Sequence, residues 1–268
     1  MTDGNHQAAE PAATLERRGC VALITFNRPR AMNAVNAALS TAVGEALEEF
    51  NADSGLRVAV VTGAGRAFCA GMDLKEAAAG RSVTAPGHED WGFAGLVNHY
   101  VDKPIVAAVN GFALGGGTEI ALACDLVVAD ENAQFGLPEV RRGLFAAAGG
   151  LLRLPRQVPK KIALEMALTG QPLDAATAAG WGLVNRVAPA GKSVEVAMEL
   201  AETVAAGAPL AVQASKRLIH RSDAFGSDWE PPMWDESDRA WQTVSASEDA
   251  LEGMVAFAEK RAPVWQGR

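Results

Sequence analysis

Residues 103–130, KPIVAAVNGFALGGGTEIALACDLVVAD, are the stretch around which the rest of the chain is organised. The apolar run Ile105–Val109 has the length and continuity of a buried strand. Asn110-Gly111 ends this run, and the apolar residues that follow the glycines predict a short helix over about 118–123. Another strand is predicted over 125–129. Strand, glycine-rich turn, helix and strand together predict an α/β unit.

Three consecutive glycines, residues 115–117, open the predicted helix. The first N–H groups of a helix have no partner within it, and glycines let a ligand approach the main chain closely. The helix dipole also makes this end favour negative charge. Glu119 is the one acidic residue in this apolar turn. It is either a surface residue that complements the dipole or a functional carboxylate, and the turn alone does not separate the two.

Composition narrows the class of protein. Of 268 residues, 49% are hydrophobic and 21% charged, which is typical of a globular protein with a large core. The net charge of -8 argues against nucleic acid or an anionic membrane as a partner, although a local basic pocket for a phosphorylated ligand remains compatible. Cys20, Cys69 and Cys124 have no metal-ligand spacing, and residues 1–14 lack the apolar segment of a signal peptide. We therefore expect a cytoplasmic protein with reduced thiols.

The order of predicted elements defines the organisation of the chain. Residues 1–13 form a polar tail that we expect to be disordered. Strands alternate with helices over 14–190, and helices alone fill 191–268, which predicts one continuous α/β domain with a helical C-terminal region. The predicted strands cover residues 20–26, 57–62, 105–109 and 125–129; residues 134–136 are predicted to be a short extended piece, and 183–187 a short strand or extended segment. The predicted helices cover 36–51, 91–101, 118–123, 160–168, 175–179, 209–221, 234–244 and 248–261, with another from residue 194. A mobile loop is predicted over 79–90.

Several enzyme classes lack their motifs here. The sequence contains neither GxxxxGK[ST] nor GxSxG. Residues 63–74, GAGRAFCAGMDL, have the first two glycines of a dinucleotide fingerprint but not the third, which disfavours a nicotinamide dehydrogenase. The histidines at positions 6, 88, 99 and 220 have no partners at metal-ligand or catalytic spacing. We therefore predict no metal site and no catalytic histidine.

These exclusions leave two glycine-rich turns and two isolated glutamates in apolar surroundings, Glu119 and Glu139. N–H groups from two turns could together bind the oxyanion that forms when a thioester carbonyl becomes an enolate. Two carboxyl groups could then take a proton from water and deliver one to carbon. The residues alone suggest this chemistry without establishing it.

Several motifs of the chain resemble the crotonase superfamily of enoyl-CoA hydratases and isomerases. The match runs from about Leu15 to the C-terminus and is most specific at residues 105–126. Residues 67–75, AFCAGMDLK, match the oxyanion-hole segment of the family. The resemblance implies the crotonase fold, a spiral of ββα units with a helical C-terminal region, and a homotrimer or a dimer of trimers. Shorter matches are LPE at 137–139, LTG at 168–170, GLVN at 182–185 and FAEKRAPVWQGR at 257–268.

The resemblance also implies roles for individual residues. The backbone N–H groups of Met72 and Gly116 would form the oxyanion hole. Glu119 matches the glutamate that activates water in the hydratases, and Glu139 matches the one that exchanges a proton with the α-carbon. Their joint presence, twenty positions apart, favours water addition or elimination. The residues implied to contact CoA or the substrate are Asn33, Ala34, Ala70, Asp73, Leu74, Lys75, Gly115, Phe257 and Lys260.

The predicted last helix bears on two of these contacts. Phe257 and Lys260 lie three residues apart, off the apolar positions of the helix. They are either a ring and a cation offered to adenine and phosphate, often on a neighbouring subunit in this family, or ordinary exposed residues. The apolar positions are expected to form a buried stripe: Leu251, Met254, Val255 and Ala258.

One segment departs from the common hydratase pattern. Residues 143–150 read GLFAAAGG, with Ala146-Ala147 where most hydratases have Pro-Gly. This segment resembles the branch that contains carnitinyl-CoA dehydratases, and it leaves the acyl substrate open. The neighbouring Arg141 and Arg142 either meet a polar acyl group or are surface charges.

The implied function is reversible hydration of a 2-enoyl-CoA to a 3-hydroxyacyl-CoA, with no metal or redox cofactor. Within the same family, the alternatives are dehydration of a specialised acyl-CoA, such as a carnitinyl-CoA, and double-bond isomerisation. An alternative of another class is a non-catalytic acyl-CoA- or RNA-binding homologue. The acidic net charge and the two glutamates argue against that class.

Overall fold

The computed structural model describes residues 10–222, 224 and 231–268. Most of the predicted tail, including His6, lies outside them, and the first strand starts at Ala13. The strands are β1 Ala13–Arg18, β2 Val21–Phe26, β3 Val58–Gly63, β4 Ala67–Cys69, β5 Ile105–Val109, β6 Phe112–Leu114, β7 Leu126–Asp130, β8 Gln134–Gly136, β9 Leu173–Asp174 and β10 Arg186–Ala188. The helices are α1 Ala37–Ala52, α2 Leu74–Ala78, α3 Gly116–Ala123, α4 Gly150–Gln157, α5 Lys160–Thr169, α6 Ala175–Gly180, α7 Ser193–Ala205, α8 Pro209–Ser222, α9 Pro231–Ser245 and α10 Glu248–Glu259.

The larger sheet has six strands in the order β1-β2-β3-β5-β7-β10. β1 is antiparallel to β2, and all the other neighbours are parallel. β3 and β5 lie in its middle, and every residue of both strands is buried. Strands covered on both faces read as continuous apolar runs, which is why VAVVTG and IVAAV could be recognised in the sequence.

The smaller sheet has the order β4-β6-β8-β9 and explains the spiral. The chain passes three times from a strand of the larger sheet to one of the smaller: β3 to β4, β5 to β6 and β7 to β8. Each pass is followed by helical turns, so the repeating unit is ββα. This arrangement confirms the predicted fold class, and it places the turns that follow β4 and β6 at one end of the molecule, since β4 and β6 are parallel neighbours.

Alternate residues of the central strands face two different cores. Ala59 and Val61 face the core that contains α1 and α3, whereas Val58 and Val60 face α7. This period of two is what a strand covered on both faces requires. Helix α7 therefore packs on the sheet, although the sequence assigned its residues to the C-terminal helical region.

One sequence prediction of secondary structure and one of burial are wrong. The helix predicted over 91–101 is replaced by short 3-10 turns at Glu89–Trp91 and Phe93–Gly95, because Gly92 and Ala94 have positive φ angles of 72° and 60°. The second error is the buried stripe of α10, where Leu251 is 62% and Met254 64% exposed.

The C-terminal segment explains the second error. The Asp249 carboxylate accepts hydrogen bonds from the N–H groups of Gln266 and Gly267, at 2.6 and 2.8 Å. Asp249 and Ala256 are the buried residues of α10, so the last residues of the chain cover a different face from the apolar one. The apolar face, including Val255 and Ala258, stays exposed in the single chain. No helix in the described ranges is both long and apolar enough to cross a bilayer.

Candidate active site

The turn that opens α3 is fixed to the smaller sheet by main-chain hydrogen bonds and by one hydroxyl group. Gly115 has a positive φ of 56°, and its N–H donates to the Gly136 carbonyl at 2.8 Å. The Thr118 hydroxyl donates to the Ala113 carbonyl at 2.6 Å and accepts from the Gly136 N–H at 2.9 Å. Because the Gly115 main chain and the Thr118 hydroxyl both bind β8, the position of the first helical turn is set by the smaller sheet.

The glycines are needed for packing as well as for ligand approach. A Cβ atom on Gly117 would lie 2.0 Å from the Cys69 carbonyl oxygen, and one on Gly116 would lie 2.3 Å from Cε1 of Phe93. Neither position tolerates a side chain. The N-terminus of α3 therefore lies directly on β4, with the Phe93 ring against Gly116.

The turn after β4 lies beside this helix N-terminus. A Cβ atom on Gly71 would lie 2.8 Å from the Leu114 oxygen and 3.2 Å from the Gly116 nitrogen. Gly71 accepts from the Val35 N–H, and the Asp73 N–H donates to the Val35 carbonyl. Since successive N–H groups of an extended chain point in opposite directions, the Met72 N–H points away from Val35. The structure thus brings together the two turns that carry Met72 and Gly116, whose role as an oxyanion hole stays a prediction.

Glu119 is 3% exposed, so the surface alternative for this residue is wrong. Its Oε1 accepts a hydrogen bond from the Gly150 N–H at 2.8 Å. Burial raises the pKa of Glu119 to about 7; the Gly150 hydrogen bond opposes this shift, and the charge of Glu139 adds to it. A carboxyl group with such a pKa is poised to exchange protons near neutral pH.

Glu139 belongs to the 3-10 turn Pro138–Arg142 and is half-buried. A Cβ atom on Gly115 would lie 3.1 Å from its Oε1, so the carboxyl group lies against the turn that opens α3. Its Oε2 is buried and has no hydrogen-bond partner in the described part of the chain. Burial raises the pKa of Glu139, while its own backbone N–H and the charge of Arg142 oppose the shift. A buried carboxyl oxygen without a protein partner is costly, and this one is available to a water molecule or a ligand.

An apolar pocket of about 400 Å³ adjoins Glu139. Phe145 and Ala146 of the unusual GLFAAAGG segment line it, together with Leu137 from the turn before Glu139 and Lys160 from α5. The segment that departs from the common hydratase pattern therefore shapes the space beside this carboxyl group.

The other residues predicted to contact CoA, in the 33–75 region, lie close together. They differ in whether their side chains are free to meet a ligand. Asn33 is fully buried, and its amide donates to the Ala64 and Ala67 carbonyls while its oxygen accepts from the Arg28 N–H. Its side chain is thus committed to holding turns together. Arg28 also donates to the Ala34 carbonyl and pairs with Asp73 at 3.0 Å.

Asp73 caps α2 by accepting from the Lys75 and Glu76 N–H groups. Burial opposes its ionisation, but Arg28 and these N–H groups hold its pKa below the ordinary value. Ala70 is half-buried, and Leu74 and Lys75 are exposed at the start of α2. These positions can meet a ligand that passes over the helix.

Phe257 and Lys260 do not join the site within one chain. Phe257 is 88% exposed and lines a groove between α8 and α10 that shares no residue with the pocket beside Glu139. Lys260 is exposed, with a positive φ of 54° at the end of α10. Their predicted contact with CoA stays a prediction and would need a second subunit.

Sequence reasoning missed three residues around the carboxyl groups: Phe93, Gly150 and Arg153. Gly150 ends the GLFAAAGG segment, which the sequence marked only by its departure from the common hydratase pattern. Phe93 lay in a segment predicted to be helical. Arg153 carried no motif at all.

The ββα spiral defines the class of this protein as a crotonase-fold lyase. The family model described as Enoyl-CoA hydratase/isomerase matches residues 16–268, and the chain belongs to that family. It is therefore an enzyme of the enoyl-CoA hydratase type.

Similar proteins carry two kinds of name. The chain is 47% identical over 261 residues to the carnitinyl-CoA dehydratase of Salmonella typhi, covering 95% of this chain and 98% of that one. A crystal structure of an enoyl-CoA hydratase from Mycobacterium tuberculosis H37Rv is 47% identical, with a TM-score of 0.91 and coverage of 97% and 100%. A carnitinyl-CoA hydratase from Mycobacterium avium is 55% identical, with a TM-score of 0.77 and coverage of 96% and 99%.

Proposed function

We propose that the chain catalyses the reversible addition of water to a 2-enoyl-CoA, forming a 3-hydroxyacyl-CoA. The observation that carries this proposal is the pair of buried carboxyl groups beside one glycine turn. Glu119 is in the first turn of the helix that Gly115 opens, and Glu139 lies against Gly115 itself. Both have raised pKa values, so each can hold a proton in one step and release it in another.

The oxyanion hole of this proposal is built from main chain. The thioester oxygen would accept hydrogen bonds from the N–H groups of Met72 and Gly116, which become stronger as the enolate forms. One such donor typically contributes about 3–4 kcal/mol to the transition state. Because these two amides hold the developing negative charge, the proposed reaction needs no metal or redox cofactor.

The proton transfers balance without any other co-reactant. Ionised Glu119 takes a proton from water while the water oxygen forms a bond to the β-carbon. The electrons of the carbon–carbon double bond move toward the thioester oxygen. Protonated Glu139 then donates its proton to the α-carbon, and the enolate collapses to the 3-hydroxyacyl-CoA. Dehydration is the same sequence in reverse, with the two carboxyl groups exchanging roles.

A carnitinyl-CoA is the second candidate substrate. Relatives with this name match nearly the whole chain, and the GLFAAAGG segment that resembles their branch lines the pocket beside Glu139. Phe145 supplies an aromatic face to that pocket, and such a face attracts a quaternary ammonium group. The otherwise apolar lining suits a simple alkyl chain instead. Competition between crotonyl-CoA and crotonobetainyl-CoA for one preparation of enzyme would decide between them.

The proposal extends to the assembly and location of the enzyme. We propose a homotrimer or a dimer of trimers in the cytoplasm, with acyl-CoA as ligand and neither nucleic acid nor membrane as partner. The exposed Phe257 supports the assembly. The net charge of -8 supports the absence of nucleic acid and membrane as partners. Light scattering after size exclusion would show a mass near three or six chains; a monomer would contradict the assembly.

The test of function is the loss of ultraviolet absorbance of crotonyl-CoA. Water addition destroys the conjugated enoyl thioester, and mass spectrometry of the product would show the added water. We expect turnover by the wild type and a loss of about 10²–10⁴-fold in both Glu119→Gln and Glu139→Gln. Folded protein that binds CoA esters but turns over neither crotonyl-CoA nor crotonobetainyl-CoA would contradict the proposal.

A further inference from the structure

We propose that Arg153 is a positioning residue for Glu119: its guanidinium holds the segment whose Gly150 N–H binds that carboxylate. This inference rests on the proposed function of Glu119. Arg153 lies in the first turns of α4, which begins at Gly150. No motif of the sequence draws attention to it, and it contacts none of the residues assigned to CoA.

The Arg153 side chain joins two main-chain segments behind the site. Its Nη2 donates to the Val97 carbonyl at 2.5 Å, and its Nη1 makes a longer contact with the Ala148 carbonyl at 3.4 Å. Val97 is buried, so this end of the guanidinium is bound to buried main chain outside the loop. The planar fork of arginine can make both contacts at once, whereas an ammonium group is a single point.

Gly149 shows how closely the guanidinium approaches the loop. Its φ is 99°, and a Cβ atom there would lie 2.1 Å from Nη1 of Arg153. Only glycine fits that conformation and that distance. The residue on one side of Gly149 accepts from Arg153, and the residue on the other side, Gly150, donates to Glu119 at 2.8 Å. A shift of the loop therefore moves the hydrogen-bond donor of the carboxylate.

The charge of Arg153 faces Glu119 without being neutralised by a contact. Within the described ranges Arg153 binds backbone carbonyls and forms no ion pair with a carboxylate. Burial lowers the pKa of Arg153, and the charge of Glu119 opposes that shift. In turn, Arg153 counteracts the burial that raises the pKa of Glu119. The other titratable group that acts on Glu119 is Glu139 from the 3-10 turn, and Arg153 itself also faces Cys124 and Arg156.

A separate cavity explains how this charge is tolerated. Arg153 lines a cavity of about 580 Å³ on the far side of α4, which contains neither Glu119 nor Glu139. Arg156 and the Lys216–Asp125 pair lie in the same wall, so its lining is polar. Water in this cavity can solvate the back of the guanidinium, so the front can face the carboxylate without a salt bridge.

The test compares Arg153→Met and Arg153→Lys with Arg156→Met. The control removes the same charge one turn further along α4, from the same cavity wall. Two kinds of measurement would be made for each variant. Infrared pH titration gives the pKa of Glu119 from the carboxyl band that Glu119→Gln abolishes, and steady-state kinetics with crotonyl-CoA from pH 5 to 9 give kcat and KM separately. The infrared titration needs no substrate, so it stands apart from the proposed function.

We expect Arg153→Met to raise the pKa of Glu119 and to move the acid limb of hydration to higher pH. At pH 6, kcat should fall by about 10- to 100-fold because the carboxylate is both protonated and misplaced, while KM stays within about twofold. Arg153→Lys keeps the charge and should shift the limb less. Arg156→Met should resemble the wild type in both measurements.

Two outcomes separate failure of this inference from failure of the proposed function. If Arg153→Met or Arg153→Lys only lowers the melting temperature, with the Glu119 band and the pH profile unchanged, the residue is structural and the inference is overturned. If the wild type turns over neither crotonyl-CoA nor crotonobetainyl-CoA but Arg153→Met still shifts the Glu119 band, the positioning role stands and the proposed function fails.

Discussion

The two glutamates of the site differ more in their surroundings than in their chemistry. Glu119 lies in an α-helix, is 3% exposed and accepts a hydrogen bond from the Gly150 N–H at 2.8 Å. Glu139 lies in a 3-10 turn, is half-buried and keeps one oxygen without a hydrogen-bond partner in the described residues. Burial raises both pKa values, but the opposing positive charge is the half-buried Arg153 for Glu119 and the exposed Arg142 for Glu139.

This difference supports the proposed roles of the two glutamates. A carboxylate that is oriented by a fixed donor is suited to hold a water molecule in one direction. A carboxyl group with an unpaired oxygen is suited to exchange a proton with carbon, because no protein hydrogen bond has to be broken in the step. The comparison therefore predicts that the two glutamates can be separated by experiment.

The largest expected effect is on exchange of the α-protons of a saturated acyl-CoA. Butyryl-CoA has α-protons but no hydroxyl group to eliminate, so deuterium uptake from heavy water reports the base at the α-carbon alone. Glu139→Gln should slow this uptake by about 10²–10⁴-fold, while Glu119→Gln should stay within about tenfold of the wild type. Mass spectrometry would measure the uptake. Equal losses in the two variants would show that the roles are not divided.

The next effect is on stability and has the opposite sign from that on activity. The pKa of Glu119 is raised to about 7 from an ordinary value of 4.5, so ionising it in the folded state opposes folding at high pH. The difference between these two pKa values corresponds to at most about 3 kcal/mol of stability. Glu119→Gln should therefore be more stable than the wild type above pH 7, by up to that amount.

This gain should disappear as the pH falls from about 7 to 4.5, because the wild-type carboxyl group then becomes neutral as well. Urea unfolding at pH 8.5 and pH 4.5 would measure it. Glu45→Gln on the exposed face of α1 is the matched control and should show little pH dependence. A variant that is less stable than the wild type at pH 8.5 would mean that Glu119 is stabilised by its ionised form.

A smaller effect is expected from adding one methyl group at Gly150, whose N–H donates to the Glu119 carboxylate. A Cβ atom on Gly150 would lie 2.9 Å from Oε1 of Glu119 and 3.0 Å from Cβ of Ala146. Gly150→Ala should displace the carboxylate by a few tenths of an ångström and reduce kcat for hydration by about 10- to 100-fold. Deuterium exchange into butyryl-CoA should be nearly unchanged, since it depends on Glu139.

Gly180→Ala is the control for a helical glycine, because a Cβ atom there would meet no atom within 4 Å. It should keep full activity and add up to about 1 kcal/mol of stability. If Gly150→Ala behaves in the same way, the carboxylate is free to move and the contrast with Glu139 is weaker than the structure indicates.

The sequence predicted well those strands and helices whose structure is determined by a short segment of the chain. Residues 105–130 yielded two strands and a helix close to their observed bounds, because buried strands and glycine turns have local signatures. Glu119 and Glu139 were identified through a resemblance to a family and not through their contacts. The contact of Glu119 with Gly150 joins residues 31 positions apart, and no local pattern records such a pairing.

The two wrong predictions come from regions where contacts between distant parts of the chain determine the structure. Residues 91–101 have helical composition, but Gly92 and Ala94 adopt positive φ where the chain packs against α1 and α3. The stripe on α10 has helical periodicity, but the last residues of the chain bind the face that carries Asp249. In both places tertiary contacts outweigh a correct local pattern.

The smallest expected effect concerns the exposed arginines beside Glu139. The Arg142 charge lowers the pKa of Glu139, whereas Arg141 donates to the Thr169 carbonyl at 2.9 Å and does not act on that carboxyl group. Arg142→Gln should raise the pKa of Glu139 and move the acid limb of butyryl-CoA exchange to higher pH, because exchange requires the ionised form. Arg141→Gln is the matched control and should leave the limb in place.

The dependence on salt concentration distinguishes the weak effect of Arg142 on Glu139 from the stronger effect of Arg153 on Glu119. Arg142 is exposed, so its effect on exchange should be about threefold or less at low ionic strength and should vanish in 1 M salt, where the Debye length is about 3 Å. The effect of Arg153→Met on hydration should survive the same salt, because Arg153 is half-buried and fixed by backbone carbonyls. Equal salt sensitivity of both would mean that solvent reaches both carboxyl groups alike. The difference between the two glutamates would then lie only in their hydrogen bonds.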